Sequence, residues 1–239
     1  MIRSALLLLA LVGVLEAAPV SEESVVHADA RFRVVRVSAE QVGLVWKPAK
    51  GEPFGSFENA RRHLVQQGKS PVFLMNAGIY QTGGIPCGLH VENGVELHPL
   101  NQADAPGNFF LKPNGVFFIE NGKAAVLTTG DYALKKSRPT FAVQSGPMLL
   151  IHGKRHPAFR DGSASKLLRN GVGVDDQGRV VFAITDKGQM VNFWDFAGLF
   201  LKLGCQNALF LDGTISQMAV NPGENLRSNQ FAAMFVITR

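Results

Sequence analysis

The chain has 239 residues, of which 46% are apolar and 18% charged, so it can bury a sizeable core and carries no low-complexity tract. The formal charge of +5 is scattered, with Arg61-Arg62 and Lys135-Lys136 the densest pairs. No basic stripe, recognition helix or RNP-like motif is present, which argues against a nucleic-acid partner.

Residues 1–18 read as a secretory signal peptide. Arg3 supplies a positive start, Ala5 to Leu15 are apolar apart from Gly13, and Ala17-Ala18 precede Pro19. Leu15 or Glu16 stands where cleavage prefers a small residue, so a retained N-terminal anchor is the alternative. No later segment is long and apolar enough to span a bilayer. The expectation is an exported bacterial protein, periplasmic or secreted, with no stable membrane span once the signal is removed. One domain is expected over residues 19–239.

Twenty-five glycines and seventeen phenylalanines point to many strands, tight turns and an aromatic core. Residues 31–38 and 41–47 read as a pair of strands. Ser56 caps an amphipathic helix with Phe57, Ala60 and Leu64 on one face, and Gly68 stops it. Residues 71–75 form a buried strand that ends at Asn76, and 76–91 is a glycine-rich loop, a place for binding groups. Asn-Gly turns then predict hairpins, with strands at 88–92, 95–98, 108–112, 115–120 and 123–128. A short helix is expected over 130–136. Residues 141–154 give two strand pieces hinged at Ser145-Gly146-Pro147, and 155–166 is a surface loop.

Residues 167–188 form a hairpin whose second arm, Val180 to Thr185, ends at Asp186. Asn192 caps a buried helix that Gly204 terminates. Ala208 to Leu211 is a buried strand delivering Asp212 into Gly213-Thr214-Ile215-Ser216, and Phe231 to Thr238 closes the chain. The fold class is α+β: mixed, strand-rich sheets with several hairpins, a few helices and one strand–helix–strand unit near the C-terminus. Two parallel strands in that unit place Asp186 and Asp212 at one sheet edge, about 5 Å apart sideways if adjacent and about 10 Å with a strand between. Paired carboxylates suit glycosyl transfer to water, one protonated and one ionised. Strand-end aspartates also cap turns, and Asp-Gly is a common turn dipeptide.

Other constellations fail. His152 and His156 have zincin spacing, but Gly153 and Pro157 exclude a helix. Ser145 lacks a GxSxG elbow, and Gly153-Lys154 lacks the upstream glycine of a P-loop. Neither a metal nor a cofactor is expected. Cys87 and Cys205 would be an even pair in an oxidising compartment, where a disulfide is one reading and a small buried residue is the preferred one.

The segments NAGIY (76–80), PCGLHVENG (86–94), QSGPMLL (144–150), RNGVGVDDQGRVVFAITD (169–186) and LGCQNALFLDGTISQM (203–218) together resemble the phosphodiester glycosidase domain family, over roughly residues 70–237. The resemblance implies an exported hydrolase that cleaves the sugar–phosphate bond of a glycosyl-1-phosphodiester, of the N-acetylglucosamine-1-phosphodiester kind. Its substrate would be a small molecule or an envelope glycopolymer. It implies catalytic or phosphate-positioning roles for Asp212, Asp186, Arg169 and Asn76. Gln144, Ser145, Gly146, Gly213, Thr214 and Ser216 would line the pocket. Two departures stand out. Ile215 replaces a glycine common in the family, and Asn170-Gly171 replaces a hydroxyl residue followed by a small apolar one. The alternatives are a non-catalytic envelope protein that binds glycosyl phosphates and a phosphodiesterase that cuts the P–O bond.

Overall fold

The structure is a computed structural model that describes residues 20–239; the predicted signal peptide lies outside the described residues. Three antiparallel sheets enclose one core, and each carries a helix on its outer face, as an α+β fold requires of half-apolar sheets. The largest sheet has seven strands in the order Glu22–His27, Ala30–Val37, Val180–Thr185, Asn170–Val174, Asn207–Asp212, Met148–Ile151 and Lys154–Arg155. Side chains alternate along its strands, as the period of two dictates. Val35, Phe182 and Leu209 point into the shared core, while Phe32, Val34, Val181 and Ala183 point outward beneath helix α3 (Phe193–Lys202).

A four-stranded sheet, ordered Met218–Val220, Pro71–Ala77, Ala233–Thr238 and Gly43–Val45, contributes Phe73, Met75 and Phe235 to the same core. Its outer face is covered by α1 (Phe57–Gln66), which buries Phe57, Ala60 and Leu64 against Leu74, Met234 and Val236. Burying a Phe or Leu stabilises by about 1.5–3 kcal/mol, and that stripe is what fixes α1 in place. A five-stranded sheet, ordered Lys123–Thr128, Gly115–Glu120, Phe141–Ser145, His90–Glu92 and Val95–His98, closes the third side. Tyr132 of the remaining helix, α2 (Thr129–Lys135), meets Phe118 edge-on, with ring centroids 5.3 Å apart.

The expected caps are present. The Ser56 hydroxyl accepts the Asn59 N–H, and the Asn192 amide oxygen accepts the Asp195 N–H. The hinge at Ser145-Gly146-Pro147 has a larger consequence than a kink, because it carries the chain from the five-stranded to the seven-stranded sheet. Gly146 is required there, since a Cβ would stand 2.6 Å from both the Asn114 Cβ and the Phe109 carbonyl oxygen.

Three expectations are corrected. The strands near 31–38 and 41–47 do not pair with each other; a 3-10 turn at Ala39–Gln41 sends them to different sheets. The apolar run 108–112 is not a strand, because Asn108–Phe110 forms a 3-10 turn that seats Phe109 in the interior. Pro113-Asn114-Gly115 is therefore no hairpin turn. The strands Glu22–His27 and Met218–Val220 were not anticipated. In the strand–helix–strand unit, Val180–Thr185 and Asn207–Asp212 do run parallel, with Asn170–Val174 lying antiparallel between them.

Candidate active site

Asp212 is the last residue of strand Asn207–Asp212, beside a register slip where the partner strand steps from Gly171 to Asn170. Such an irregularity re-aims a side chain at a strand's end. The Asp212 carboxylate accepts the Gly213 N–H at 2.7 Å on Oδ1 and the Asn76 Nδ2 at 3.2 Å on Oδ2. Burial raises its pKa from 3.8 to about 6, and these two donors oppose that rise without cancelling it. Among the described residues, no cation pairs with it. Tyr80 and Cys87 sit close enough that the Asp212 charge contributes to holding both in their protonated forms, after the larger effect of burial.

Behind Asp212 lies a buried polar row. Asn76 is the penultimate residue of strand Pro71–Ala77 and is 1% exposed; Asn170 begins strand Asn170–Val174 and is 0% exposed. Asn170 Nδ2 donates to the Asn76 carbonyl at 3.0 Å and to Asn76 Oδ1 at 2.9 Å, and the Ser216 hydroxyl donates to Asn170 Oδ1 at 3.1 Å. Strand ends of two sheets meet here, so residues 76, 170, 212 and 216 come together from distant parts of the chain.

Asp212 opens onto a cleft of about 390 Å³ whose walls are mainly apolar: Ile79, Phe109, Phe110, Leu167, Phe210 and Ile215. Thr214 and Gly213 also line it, and no lining side chain is cationic. A second depression, of about 370 Å³, lies on the Ser216–Gln217 side of the same turn and is lined by Arg33, Asp186, Lys187 and Arg227. Asp186 therefore opens onto a different depression from Asp212. Asp212 is in register with Asn170, and Asn170 with Ile184. Two strand spacings sideways and two residues along put the Asp186 and Asp212 Cα atoms roughly 12 Å apart. Asp186 Oδ1 accepts the Lys187 N–H and its charge bears on Arg33, which Glu22 already holds in two hydrogen bonds.

This arrangement of a desolvated strand-end carboxylate beside a Gly-Thr-Ile-Ser turn coincides with a sequence match. The family model for phosphodiester glycosidases matches residues 69–237, a span that holds Asn76, Asn170, Asp212 and Ser216. The chain belongs to the phosphodiester glycosidase family. An uncharacterized protein of Escherichia coli (strain K12), YigE, is 38% identical over 190 residues, covering 79% of this chain and 73% of that protein. Among solved structures, the fold is similar to the zebrafish N-acetylglucosamine-1-phosphodiester alpha-N-acetylglucosaminidase catalytic domain, auto-inhibited by its pro-peptide. The TM-score is 0.63 at 16% identity, over 91% of this chain and 81% of that one. It is also similar to a hypothetical protein from Synechocystis, with a TM-score of 0.59 at 12% identity, over 93% of this chain and 64% of that one.

Within the family's span, the other expected site residues fall into distinct settings. Arg169 is 1% exposed and forms no ion pair among the described residues. Its guanidinium lies 3.6 Å from the Phe193 ring centroid and donates to the Val191 and Ser165 carbonyls; burial pushes its pKa down to about 10. It sits behind Phe210 rather than in the cleft, and it ties down the 165–168 segment that supplies Leu167.

Gln144 spends its amide internally, accepting from the Leu89 and Asn101 N–H groups and donating to the Asn101 carbonyl and the Thr129 hydroxyl. Ser145 donates to the Leu211 carbonyl, one residue before Asp212, and Gly146 packs against the Asn108–Phe109 backbone. These three build the cleft from behind. Asn170 was not singled out as a site residue from the sequence, where it reads as one arm of a hairpin. Cys87 and Cys205 are both free and buried, and burial pushes the Cys205 thiol up to about 12. Among the described residues, no three His, Cys, Asp or Glu side chains gather as a metal site.

Proposed function

We propose that this chain hydrolyses the sugar–phosphate bond of a glycosyl-1-phosphodiester, with Asp212 as the working carboxylate. The observation that carries this reading is Asp212 itself: a desolvated carboxyl with no counter-cation among the described residues, held by two N–H donors at the open end of a cleft rich in aromatic rings, in a member of the phosphodiester glycosidase family. A sugar ring suits aromatic walls such as Phe109, Phe110 and Phe210, where its C–H face excludes water.

In this reading the sugar lies in the apolar cleft with its anomeric carbon toward Asp212. The ionised carboxylate attacks that carbon or activates a water in front of it. The leaving group is a phosphomonoester, stable as an anion, so it needs no strong general acid. This accommodates Asp186 opening onto a different depression from Asp212, so that the two carboxyl groups need not flank one bond. The phosphate would cross the Gly213–Ser216 turn toward the second depression, where the cations Lys187 and Arg227 lie. Export, as the N-terminal sequence suggests, would give the enzyme access to envelope glycopolymers or imported phosphodiesters.

The test is Asp212→Asn assayed on a nitrophenyl glycosyl-phosphodiester. A folded variant should lose about 10³-fold or more in kcat. The wild-type rate should fall as pH drops through about 6, where Asp212 takes up its proton. A folded variant with full activity would remove the mechanism.

A further inference from the structure

Two backbone groups fix which way the buried amides behind Asp212 point. The backbone N–H of Gln217, which can only donate, lies 2.9 Å from one terminal atom of the Asn76 side chain, so that atom is the oxygen. The Asn76 N–H2 is thereby turned to Asp212 Oδ2. The Asn76 carbonyl, which can only accept, lies 3.0 Å from one terminal atom of Asn170, so that atom is the nitrogen. The Asn170 oxygen is left facing the Ser216 hydroxyl. Every donor in the row then points the same way, from Ser216 to Asn170, Asn170 to Asn76, and Asn76 to Asp212. Hydrogen bonds aligned in this sense polarise and strengthen one another.

We propose that Asn170 is a positioning residue that acts on Asp212 through Asn76, donating beside the Gln217 N–H to Asn76 Oδ1 and so helping to hold the Asn76 N–H2 toward the carboxylate. The proposal rests on the reading of Asp212 as the working carboxylate. A donated hydrogen bond favours the ionised form of a carboxyl, whereas burial favours the neutral one. Asn170 therefore sets how much of Asp212 is ionised at a given pH without a side-chain hydrogen bond to it, although the two residues face each other across adjacent strands. The other titratable groups facing Asp212 are Tyr80, whose hydroxyl donates to the Gln230 carbonyl, and Cys87; the Arg169 cation lies on the far side of Phe210, 5.6 Å from that ring's centroid. None of these belongs to the row.

The experiment is a ¹³C NMR titration of the full chain labelled at aspartate Cγ, with no substrate present and the Asp212 signal identified by its loss in Asp212→Asn. Asn170→Ala and the nearly isosteric Asn170→Leu are read in parallel, so that one decides if the other does not fold. Each should move the Asp212 midpoint upward by up to about one pH unit, the effect of weakening one donor to a partly buried carboxylate. Asn76→Ala should move it the same way, and the Asn76→Ala/Asn170→Ala pair should move it no further than Asn76→Ala alone, because Asn170 works through Asn76. An unchanged midpoint in a folded Asn170 variant, or additive shifts in the pair, would overturn the proposal. Because no substrate is used, a protein that fails to turn over phosphodiesters would refute the proposed function and leave this result standing.

Discussion

Replacing Asp212 by Asn should change how stability depends on pH, and the size of the change follows from the site. The Asp212 pKa is about 6 in the native protein against 3.8 for a free carboxyl. The native state thus holds this proton more tightly than the unfolded chain. Stability is then highest below about 3.8, falls as pH rises through the window between the two values, and stays low above it. A shift of about two units corresponds to about 3 kcal/mol in full, of which about 2 kcal/mol falls between pH 4.5 and 7.5.

The amide introduced by Asp212→Asn would not titrate, but one of its terminal atoms becomes an N–H2 facing either the Gly213 N–H or the Asn76 Nδ2, a donor–donor conflict worth about 1–3 kcal/mol at every pH. The variant should therefore be less stable than wild type at pH 4.5 and close to it at pH 7.5. Urea unfolding at the two pH values measures this, the gap between the proteins closing by about 2 kcal/mol. Parallel stability profiles across the window would show that Asp212 is not a desolvated carboxylate, and the chemistry built on it would fall with that.

Two further outcomes are expected. Gly88→Ala would place a Cβ 2.1 Å from Gln144 Oε1 and 2.7 Å from Phe109 Cζ, disturbing both the clasp on the 87–101 loop and a wall of the cleft. It should cost about 1–3 kcal/mol, read as a lowered Tm, and an unchanged Tm would mean that Gln144 does not hold this loop. Lys187→Gln with Arg227→Gln should raise KM for a glycosyl-phosphodiester by about 3–10-fold at low salt with kcat little changed, and the difference should shrink as salt screens it. An unaltered KM at low salt would place the phosphate elsewhere.

The local features of this fold were legible because they rest on short-range chemistry. Ser56 and Gly68 bracket α1, Asn192 opens α3, and the Asn121-Gly122 turn joins two strands of the five-stranded sheet at the expected residues. What the sequence concealed is long-range. Phe109-Phe110-Leu111 has the composition of a strand, but its place is decided by how Phe109 and Gly146 pack together. Val180–Thr185 and Asn207–Asp212 read as parallel strands around α3, with adjacency left open, and the long-range pairing places an earlier strand between them.

The site shows the same division. The strand end that carries Asp212 could be read from the glycine after it, whereas the place of Asn170 could not, since it is set by hydrogen bonds to Asn76, 94 residues away, and Ser216, 46 residues away. Besides its departure from the resembled pattern, the sequence offered one signal: an amide in a hairpin arm otherwise made of Gly and Val, at a position that then had to be buried and hydrogen-bonded. The phosphate-positioning role of Arg169 came from the resemblance, and the packing of its guanidinium against Phe193 and Phe210 could not be read from the sequence.

The central claim is tested most directly by the products of turnover. Wild-type protein and a glycosyl-1-phosphodiester, followed by ³¹P NMR with sugar analysis, should yield free sugar and a phosphomonoester of the aglycone, and folded Asp212→Asn should yield neither. Release of sugar-1-phosphate, or binding without turnover across a broad set of such diesters, would contradict it.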